Sequence, residues 1–494
     1  MSLLEHASRP SRRHPTLVTV LVLVILCVTA QLHGAGFTQT DAAAALKRAV
    51  EFFSTKVAVA GGGYGYRISD DLTKREGENR TTPTQFWVQP PATPAVGTAY
   101  LEAYRLTGED YLLIAARATA EALIRCQLES GGWQNPSETD PQARHGHRYR
   151  VDASAESGSK KSKNRSTLDD NKTQSCLLFL MRLDAETGFR DAPLHAAVIF
   201  GLDSLVKVQY PNGAWPQQFE GPPDASQFPV KTASYPDSWS REFPKAKYEL
   251  FYTFNDNTIA DVVALMLEAG DTYDSEQYRA SAAKAGDFIL AAQMPEPQPA
   301  WAQQYDPSMH PVWARKFEPP SISGSESQNL IKLLLEFYRR TADKKYLEPI
   351  PRAVAYLTRS RLPDGQLARF YELQTNKPLY FTKDYVLTYD DSDLPTHYGF
   401  KVGGGGLDNF LAEYEKLLKD GPPKKKPAKN DTIRFNDKLA KEAAEVAGAL
   451  DERGAWVEDG RMETYGEDDP TRRVIESKTF IKNVRTLARC AAAK

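Results

Sequence analysis

A short segment rich in glycine, tryptophan and glutamine recurs along this 494-residue chain and limits the folds open to it. Each copy follows a stretch that has the length and composition of a helical hairpin. The copies, of which the first and last are the weakest, are GGGYGYR (61–67), GGWQNP (131–136), NGAWPQQF (212–219), PAWAQQY (299–305), DGQLARFYE (364–372) and GAWVEDGR (454–461). Internal repetition of this kind predicts an architecture built from one repeated unit.

The stretches between these copies have helical periodicity. Apolar residues recur at helical spacing, as in Ile259, Val262, Val263 and Met266. Paired helices turn at similar corners, where a small residue ends one helix and acidic residues precede an aromatic residue at the next. These corners are YRLTGEDYL (104–112), RLDAETGFRDA (182–192), LEAGDTYDSEQY (267–278) and YRRTADKKYL (338–347).

Two repeat architectures fit such hairpins. Tetratricopeptide arrays share the helical corner, but their period of about 34 residues is too short for this spacing. A ring of helical hairpins accommodates long units and gathers their loops at one end. We therefore predict an all-α fold, an (α/α) toroid or barrel whose loops form one cleft, with the repeated aromatic residues at its rim.

The N-terminal segment has the pattern of a secretory signal. Arg9, Arg12 and Arg13 precede the apolar run Leu17–Ala30, and small residues follow it. This pattern predicts a signal peptide over residues 1–35 and a secreted or periplasmic protein. The alternative is a signal anchor, for which a run of about 14 residues is marginal.

Composition and linkers suggest how the rest is divided. Hydrophobic residues make up 41% of the chain, which is enough for a large core, and the net charge of −2 argues against a nucleic acid partner. A Pro/Lys-rich stretch, 420–429, separates a toroid domain over 36–419 from a linker and charged helical tail over 420–494. The tail either completes the ring or packs against it. We expect a monomer without stable membrane association once the signal is removed.

Five ordered pieces of sequence resemble a known family. They are STLDDNKTQ (166–174), NGAWPQQFE (212–220), YTFNDNTIAD (252–261), AWAQQYDP (300–307) and PVWARKFEPPSISGSES (311–327). Together they are similar to the pectate lyases of polysaccharide lyase family 10. The resemblance implies a secreted α/α-toroid enzyme that cleaves polygalacturonate, or pectate, by β-elimination with Ca²⁺.

Two aspartates are the predicted calcium ligands. Asp169 and Asp256 each come at the start of a helix, and we predict that they occupy matching positions of successive repeats. Carboxylate oxygens are the ligands that calcium prefers, and both residues are candidate catalytic groups. Asp170 fits neither position as well and is not included. The alternative reading is that these aspartates are helix N-caps.

The resemblance also places an arginine in the catalytic site. The position that matches the family's proposed catalytic base is Arg315, in WARKFE. Arginine is ordinarily protonated at all relevant pH values, so a base role requires a strongly lowered pKa or a proton transfer coupled to charge collapse. The alternative role is a bidentate clamp on a substrate carboxylate.

Further side chains are candidates for binding the polysaccharide. Three are cations that suit a polyanion, and three are aromatic or amide groups that suit sugar rings and hydroxyls. They are Arg369, Lys247 and Lys401, and Trp215, Gln218 and Trp301. A further substrate-binding arginine of the family has no match around 396–402, which leaves the subsites open.

Two other functions remain open from the sequence. A glycoside hydrolase on the same fold would use paired carboxylates, for which Asp169 and Asp256 could serve without calcium. A noncatalytic polysaccharide-binding protein would use the aromatic residues alone. The sequence contains neither a G-x-S-x-G nor a G-x-x-x-x-G-K-[ST] motif, so serine-triad and phosphate-loop chemistry are not indicated.

Overall fold

The computed structural model describes residues 36–59, 61–153, 162–245, 247–423 and 433–494. The predicted signal peptide, residues 1–35, lies outside the described residues. Within those ranges, no helix is both long enough and apolar enough to cross a membrane.

The described residues form twelve α-helices joined by short strands and 3-10 turns. The helices are α1 Gln39–Phe52, α2 Thr93–Thr107, α3 Asp110–Arg125, α4 Lys172–Glu186, α5 Ala192–Val208, α6 Thr258–Thr272, α7 Glu276–Ala291, α8 Gly324–Thr341, α9 Ile350–Arg359, α10 Leu407–Asp420, α11 Asp437–Gly448 and α12 Ser477–Ala491. Their buried faces are apolar, and burial of these faces stabilises the helices against one another.

The packing of the helices produces a ring of hairpins. The inner helices α2, α4, α6, α8 and α10 each pack against the next, and α2, α4, α6 and α8 are each covered by the outer helix that follows in the chain. The last helix, α12, packs against both α1 and α2, so the two ends of the chain meet. The predicted all-α (α/α) toroid is confirmed, and the segment after residue 420 supplies the helix on which α1 packs.

Short antiparallel strands cap one end of the ring. They are β1 Arg67–Ser69, β2 Arg75–Glu76, β3 Arg80–Thr81, β4 Gln85–Phe86, β5 Ser137–Glu138, β6 Ser166–Thr167, β7 Gln218–Phe219, β8 Tyr252–Thr253, β9 Gln304–Tyr305, β10 Ser321–Ser323, β11 Leu367–Ala368, β12 Phe370–Glu372, β13 Pro378–Phe381, β14 Leu387–Thr388, β15 Lys401–Val402, β16 Glu458–Asp459 and β17 Arg473–Glu476. Strand β10 leads directly into α8 and β17 into α12, whereas β6 and β8 lead into α4 and α6 through a 3-10 turn. Because of this order, the strands gather at the N-terminal ends of the inner helices.

The pairing of the strands links neighbouring hairpins. Strand β6 pairs with β7 and β8 pairs with β9, in the same register relative to the helices that follow. A five-stranded sheet in the order β16-β17-β1-β2-β3 joins the two ends of the chain. In this sheet Arg67 forms ion pairs with Glu76, Glu463 and Glu476 at 3.2, 3.1 and 2.7 Å. The junction between the two ends of the chain is therefore held together by backbone hydrogen bonds and by ion pairs.

Candidate functional site

Two turns of the same unusual shape precede α4 and α6. In the first, Asp170 and Asn171 have φ of 50° and 58°, and in the second, Asp256 and Asn257 have φ of 49° and 58°. Two successive left-handed residues are unfavourable for L-amino acids, and Asp and Asn tolerate this conformation better than most others. Backbone conformations of this kind concentrate at functional sites.

The turns show which residues correspond between the two repeats. Asp170 and Asp256 take the same place in each turn, directly before the N-cap residues Asn171 and Asn257. The prediction that Asp169 matches Asp256 is therefore wrong, because the counterpart of Asp169 is Asn255. Asp170, which the sequence argument excluded, is the true match.

The same register rules out capping as the role of these side chains. Asn171 and Asn257 are the N-cap residues, and neither makes a side-chain capping hydrogen bond. The 3-10 turn before α4 instead directs Asp169 and Asp170 toward Asp256 across the end of the ring.

The three aspartates form one carboxylate cluster. One oxygen of each of Asp169, Asp170 and Asp256 lies within 4.8 Å of the others. Their side chains are half-buried, with exposures of 26%, 35% and 29%. The amide Nε2 of Gln217 donates to Asp169 at 2.8 Å, and Asn255 donates to Asp256 at 2.8 Å. Three convergent hard oxygen donors fit a divalent cation such as calcium.

The electrostatics of the cluster also favour a cation. Burial raises the pKa of Asp256 to about 6, with Arg315 opposing this and the charges of Asp169 and Asp170 adding to it. Burial likewise raises the pKa of Asp169, against the influence of Lys172. Carboxylates that are desolvated and crowded together gain most when a positive ion joins them.

Arg315 faces this cluster and is held by a buried carboxylate. Its guanidinium lies 3.6 Å from Asp256 and 2.6 Å from Glu318, and its backbone N–H donates to Glu318 at 3.1 Å. The side chain of Glu318 is 1% exposed, and it also accepts a hydrogen bond from the hydroxyl of Tyr398 at 2.9 Å. Burial by itself would lower the pKa of Arg315, but the hydrogen bond and charge of Glu318 outweigh it and raise this pKa. Arg315 is therefore a fixed cation.

A second arginine shares an aromatic ring with Arg315. The guanidinium of Arg369 lies 4.4 Å from the ring centroid of Tyr398, and that of Arg315 lies 5.8 Å from it. Arg369 also pairs with Glu326 at 3.4 Å. The structure thus groups two of the predicted cations with the aspartate cluster, together with Glu318 and Tyr398, which the sequence argument did not identify.

The other predicted cations have different surroundings. Lys247 is exposed and, with Gln218, lines a cavity of about 490 Å³ beside β7. Lys401 forms ion pairs with Asp391 at 2.5 Å and Asp364 at 3.8 Å. Of Arg369, Lys247 and Lys401, it is Arg369 that contacts Tyr398, the ring that Arg315 also contacts.

The repeated tryptophans belong to the core and not to the cleft. Trp215 and Trp301 are both 0% exposed, and their indole N–H groups donate to the carbonyls of Leu205 and Ile289 at 2.8 Å. Trp133 and Trp456 make the same bond to the last turns of α3 and α11. The last carbonyls of a helix lack partners within it, and each tryptophan satisfies one. The prediction that Trp215 and Trp301 bind substrate at the rim is wrong, because a fully buried ring cannot stack on a sugar.

Replacing Trp301 by phenylalanine should therefore affect stability and not substrate binding. The change removes the indole donor and leaves the carbonyl of Ile289 buried and unpaired. We expect the free energy of unfolding to fall by about 1–3 kcal/mol. Urea unfolding followed by fluorescence measures this, and the KM of the folded variant should match that of the wild type. A raised KM without a loss of stability would contradict the core assignment.

Comparison with known proteins gives a family match and distant structural relatives. Residues 127–367, which contain the three aspartates, Arg315 and Glu318, match the family model described as pectic acid lyase. No curated protein matches the chain. Among solved structures, a family 10 polysaccharide lyase from Cellvibrio cellulosa is 21% identical, with a TM-score of 0.44, over 65% of this chain and 96% of that one. A mutant of that lyase in complex with trigalacturonic acid is 20% identical, with a TM-score of 0.44, over 66% and 98%. A D-mannose isomerase is 13% identical, with a TM-score of 0.42, over 91% and 97%.

Proposed function

We propose that this chain, which matches the pectic acid lyase family model over residues 127–367, is a polysaccharide lyase that cleaves α-1,4-polygalacturonate by calcium-assisted β-elimination. The observation that carries this proposal is the arrangement of Asp169, Asp170 and Asp256 opposite Arg315, with 3.6 Å between the guanidinium and Asp256. An acidic metal site and a fixed cation facing each other would stabilise the negative charge that develops during elimination from a uronide.

The reaction defines what these groups must do. The C5 proton of galacturonate is acidic because it lies next to the carboxylate, and negative charge builds up on that carboxylate in the transition state. In the elimination this proton passes to a base, which is solvent hydroxide at alkaline pH when Arg315 stays protonated. The C4–O4 bond breaks as the double bond forms, and the departing oxygen takes a proton from water. Asp170 and Asp256, with Asp169, would hold a calcium ion, which when bound acts as a Lewis acid toward the carboxylate. The fork of Arg315 binds and orients the same anion.

Arg315 serves better as this cation than as a proton acceptor. Proton abstraction by a neutral guanidine needs a lowered pKa, whereas Glu318 raises the pKa of Arg315. The hydrogen bonds from Arg315 to Glu318 also fix the direction in which the guanidinium points. We therefore propose that Arg315 binds and neutralises the uronate carboxylate, while Arg369 and Lys247 bind neighbouring uronates.

The site of action follows from the N-terminal sequence and the substrate. Polygalacturonate is a polymer found outside the cell that uses it, and the segment 1–35 has the pattern of a secretory signal. We propose that the enzyme is secreted or periplasmic and acts as a monomer.

The proposal is tested on protein that lacks residues 1–35. With calcium at alkaline pH, we expect polygalacturonate cleavage that produces an unsaturated product absorbing in the near ultraviolet, and a loss of at least about 100-fold with excess chelator. Restoring calcium should restore the rate, which controls for damage by the chelator. A rate unchanged in chelator would contradict the calcium site.

The same assay separates the two other functions. A hydrolase would release reducing ends without the ultraviolet signal, because water adds across the bond instead of a double bond forming. A noncatalytic binding protein would retain polygalacturonate without either product. Either result would overturn the lyase mechanism.

A further inference from the structure

A lysine lies inside the carboxylate cluster. The ammonium of Lys172 is 3.1 Å from Asp170 and 3.6 Å from Asp169, and its side chain is 9% exposed. Lys172 is the first residue of α4, so the helix fixes where the side chain starts. A lysine this well buried needs compensating charge, and the two aspartates supply it.

The second repeat has no such cation. Thr258 takes the corresponding place at the start of α6, and its hydroxyl donates to the carbonyl of Asn255 at 2.8 Å. The Asp169–Lys172 pair of the first repeat therefore corresponds to the uncharged pair Asn255 and Thr258. Among the residues that the structure describes, this turn precedes both α4 and α6, but the lysine–aspartate ion pair occurs only before α4.

The charges around the cluster show what the lysine changes. Arg315 is paired with Glu318, so these two groups together are neutral. Three carboxylates and one ammonium then leave two negative charges, which one calcium ion balances. Without Lys172 the calcium-loaded site would keep a negative charge and repel an incoming uronate.

From this arrangement we infer that Lys172 is a specificity-determining residue. It weakens the binding of a divalent cation to the free enzyme and makes the cation-loaded cluster neutral, so that it accepts an anionic sugar. The inference rests on the proposed calcium site. Ammonium contacts with Asp169 and Asp170 compete with the cation for the same oxygens, and calcium affinity rises with the number of uncompensated ligand charges.

Calcium titration of the purified protein tests this inference without relying on activity. Isothermal titration of chelator-treated wild type, Lys172→Met and Lys172→Arg gives the calcium Kd of each. We expect Lys172→Met to lower the Kd by about tenfold or more, and Lys172→Arg to stay within about threefold, because the arginine retains the charge. Lys207→Met, on the exposed face of the outer helix α5, is the matched control and should leave the Kd unchanged.

The second measurement is the substrate dependence at saturating calcium. If Lys172 neutralises the loaded cluster, Lys172→Met should raise the KM for polygalacturonate by about tenfold, with a smaller change in kcat. A role limited to holding the fold would instead lower the melting temperature in chelator and leave the calcium Kd unchanged. If Lys172→Met does not fold, Lys172→Gln carries the same predictions.

The outcomes distinguish this inference from the proposed function. An equal or weaker calcium affinity in Lys172→Met, with wild type binding calcium, overturns the role of Lys172 alone. Calcium binding with the predicted order of Kd values but without elimination products supports that role while overturning the lyase mechanism. Failure of every variant to bind calcium overturns both the calcium site and the inference.

Discussion

Replacing Asp256 by asparagine is expected to lower kcat/KM on polygalacturonate by about a thousandfold. The change keeps the size of the side chain but removes one of the three negative charges that converge within 4.8 Å. It also leaves Arg315 without its nearest charge on the cluster side, 3.6 Å away. Initial rates of ultraviolet absorbance at saturating calcium measure the loss, and a calcium titration should show a weaker Kd.

The correspondence between the turns before α4 and α6 gives a second substitution with the same expected effect. Because Asp170 takes the place of Asp256 in the first turn, Asp170→Asn should cause a loss of similar size. Asp261→Asn, five residues further along in α6 and outside the cluster, is the matched control and should keep the rate within about threefold. A fully active Asp256→Asn would contradict the metal site, and a loss with Asp169→Asn but not Asp170→Asn would restore the sequence-based pairing.

The origin of this register explains one limit of the sequence argument. Asp169 and Asp170 are adjacent, so either could pair with Asp256 by spacing alone. The choice depends on two left-handed residues in each turn, which are a property of the backbone. The recurring Asp-Asn pair directly before each helix was the available signal. The prediction of a metal site at this end of the ring rested on the repeat together with the family resemblance, and the three carboxylates do lie together.

The tryptophans show a different limit. A periodic aromatic residue is consistent with a cleft wall or with a core position, and the two cannot be separated without knowing what lies behind the ring. The deciding contact for Trp301 is to the carbonyl of Ile289, near the end of the preceding outer helix. Helical periodicity predicted the ring of hairpins because it reports local structure. It did not show which side chains of each loop face solvent and which face the core.

Contacts between distant parts of the chain set the surroundings of Arg315. Glu318 lies three residues from Arg315 in the chain, but its hydrogen-bond partner Tyr398 lies several secondary-structure elements further along. Arg369, which lies between β11 and β12, contacts the same tyrosine ring. The sequence could identify Arg315 by resemblance and Arg369 by its basic side chain. The buried carboxylate and the aromatic ring that orient them became visible only with the folded chain.

Arg315→Ala is expected to lower kcat/KM by about a thousandfold, because it removes the cation that meets the uronate carboxylate. Arg315→Lys should recover part of this loss, since the ammonium keeps the charge but lacks the planar fork. Elimination rates across substrate concentrations measure both. Melting temperatures control for folding, because Arg315→Ala removes the side-chain cation that pairs with the buried Glu318. An Arg315→Ala enzyme within about tenfold of wild type would remove Arg315 from the reaction.

Glu318→Gln separates the two roles of Arg315. Glu318 raises the pKa of Arg315, so its neutral replacement should lower that pKa and increase the neutral fraction at any given pH. If a neutral guanidine removed the C5 proton, the variant would be faster than wild type on the acidic side of the pH profile. If Arg315 acts as an oriented cation, the variant loses the carboxylate that holds the guanidinium in place. It is then slower at every pH, by about 10- to 100-fold. We expect the second result, because the contacts between Arg315 and Glu318 hold both its charge and its direction.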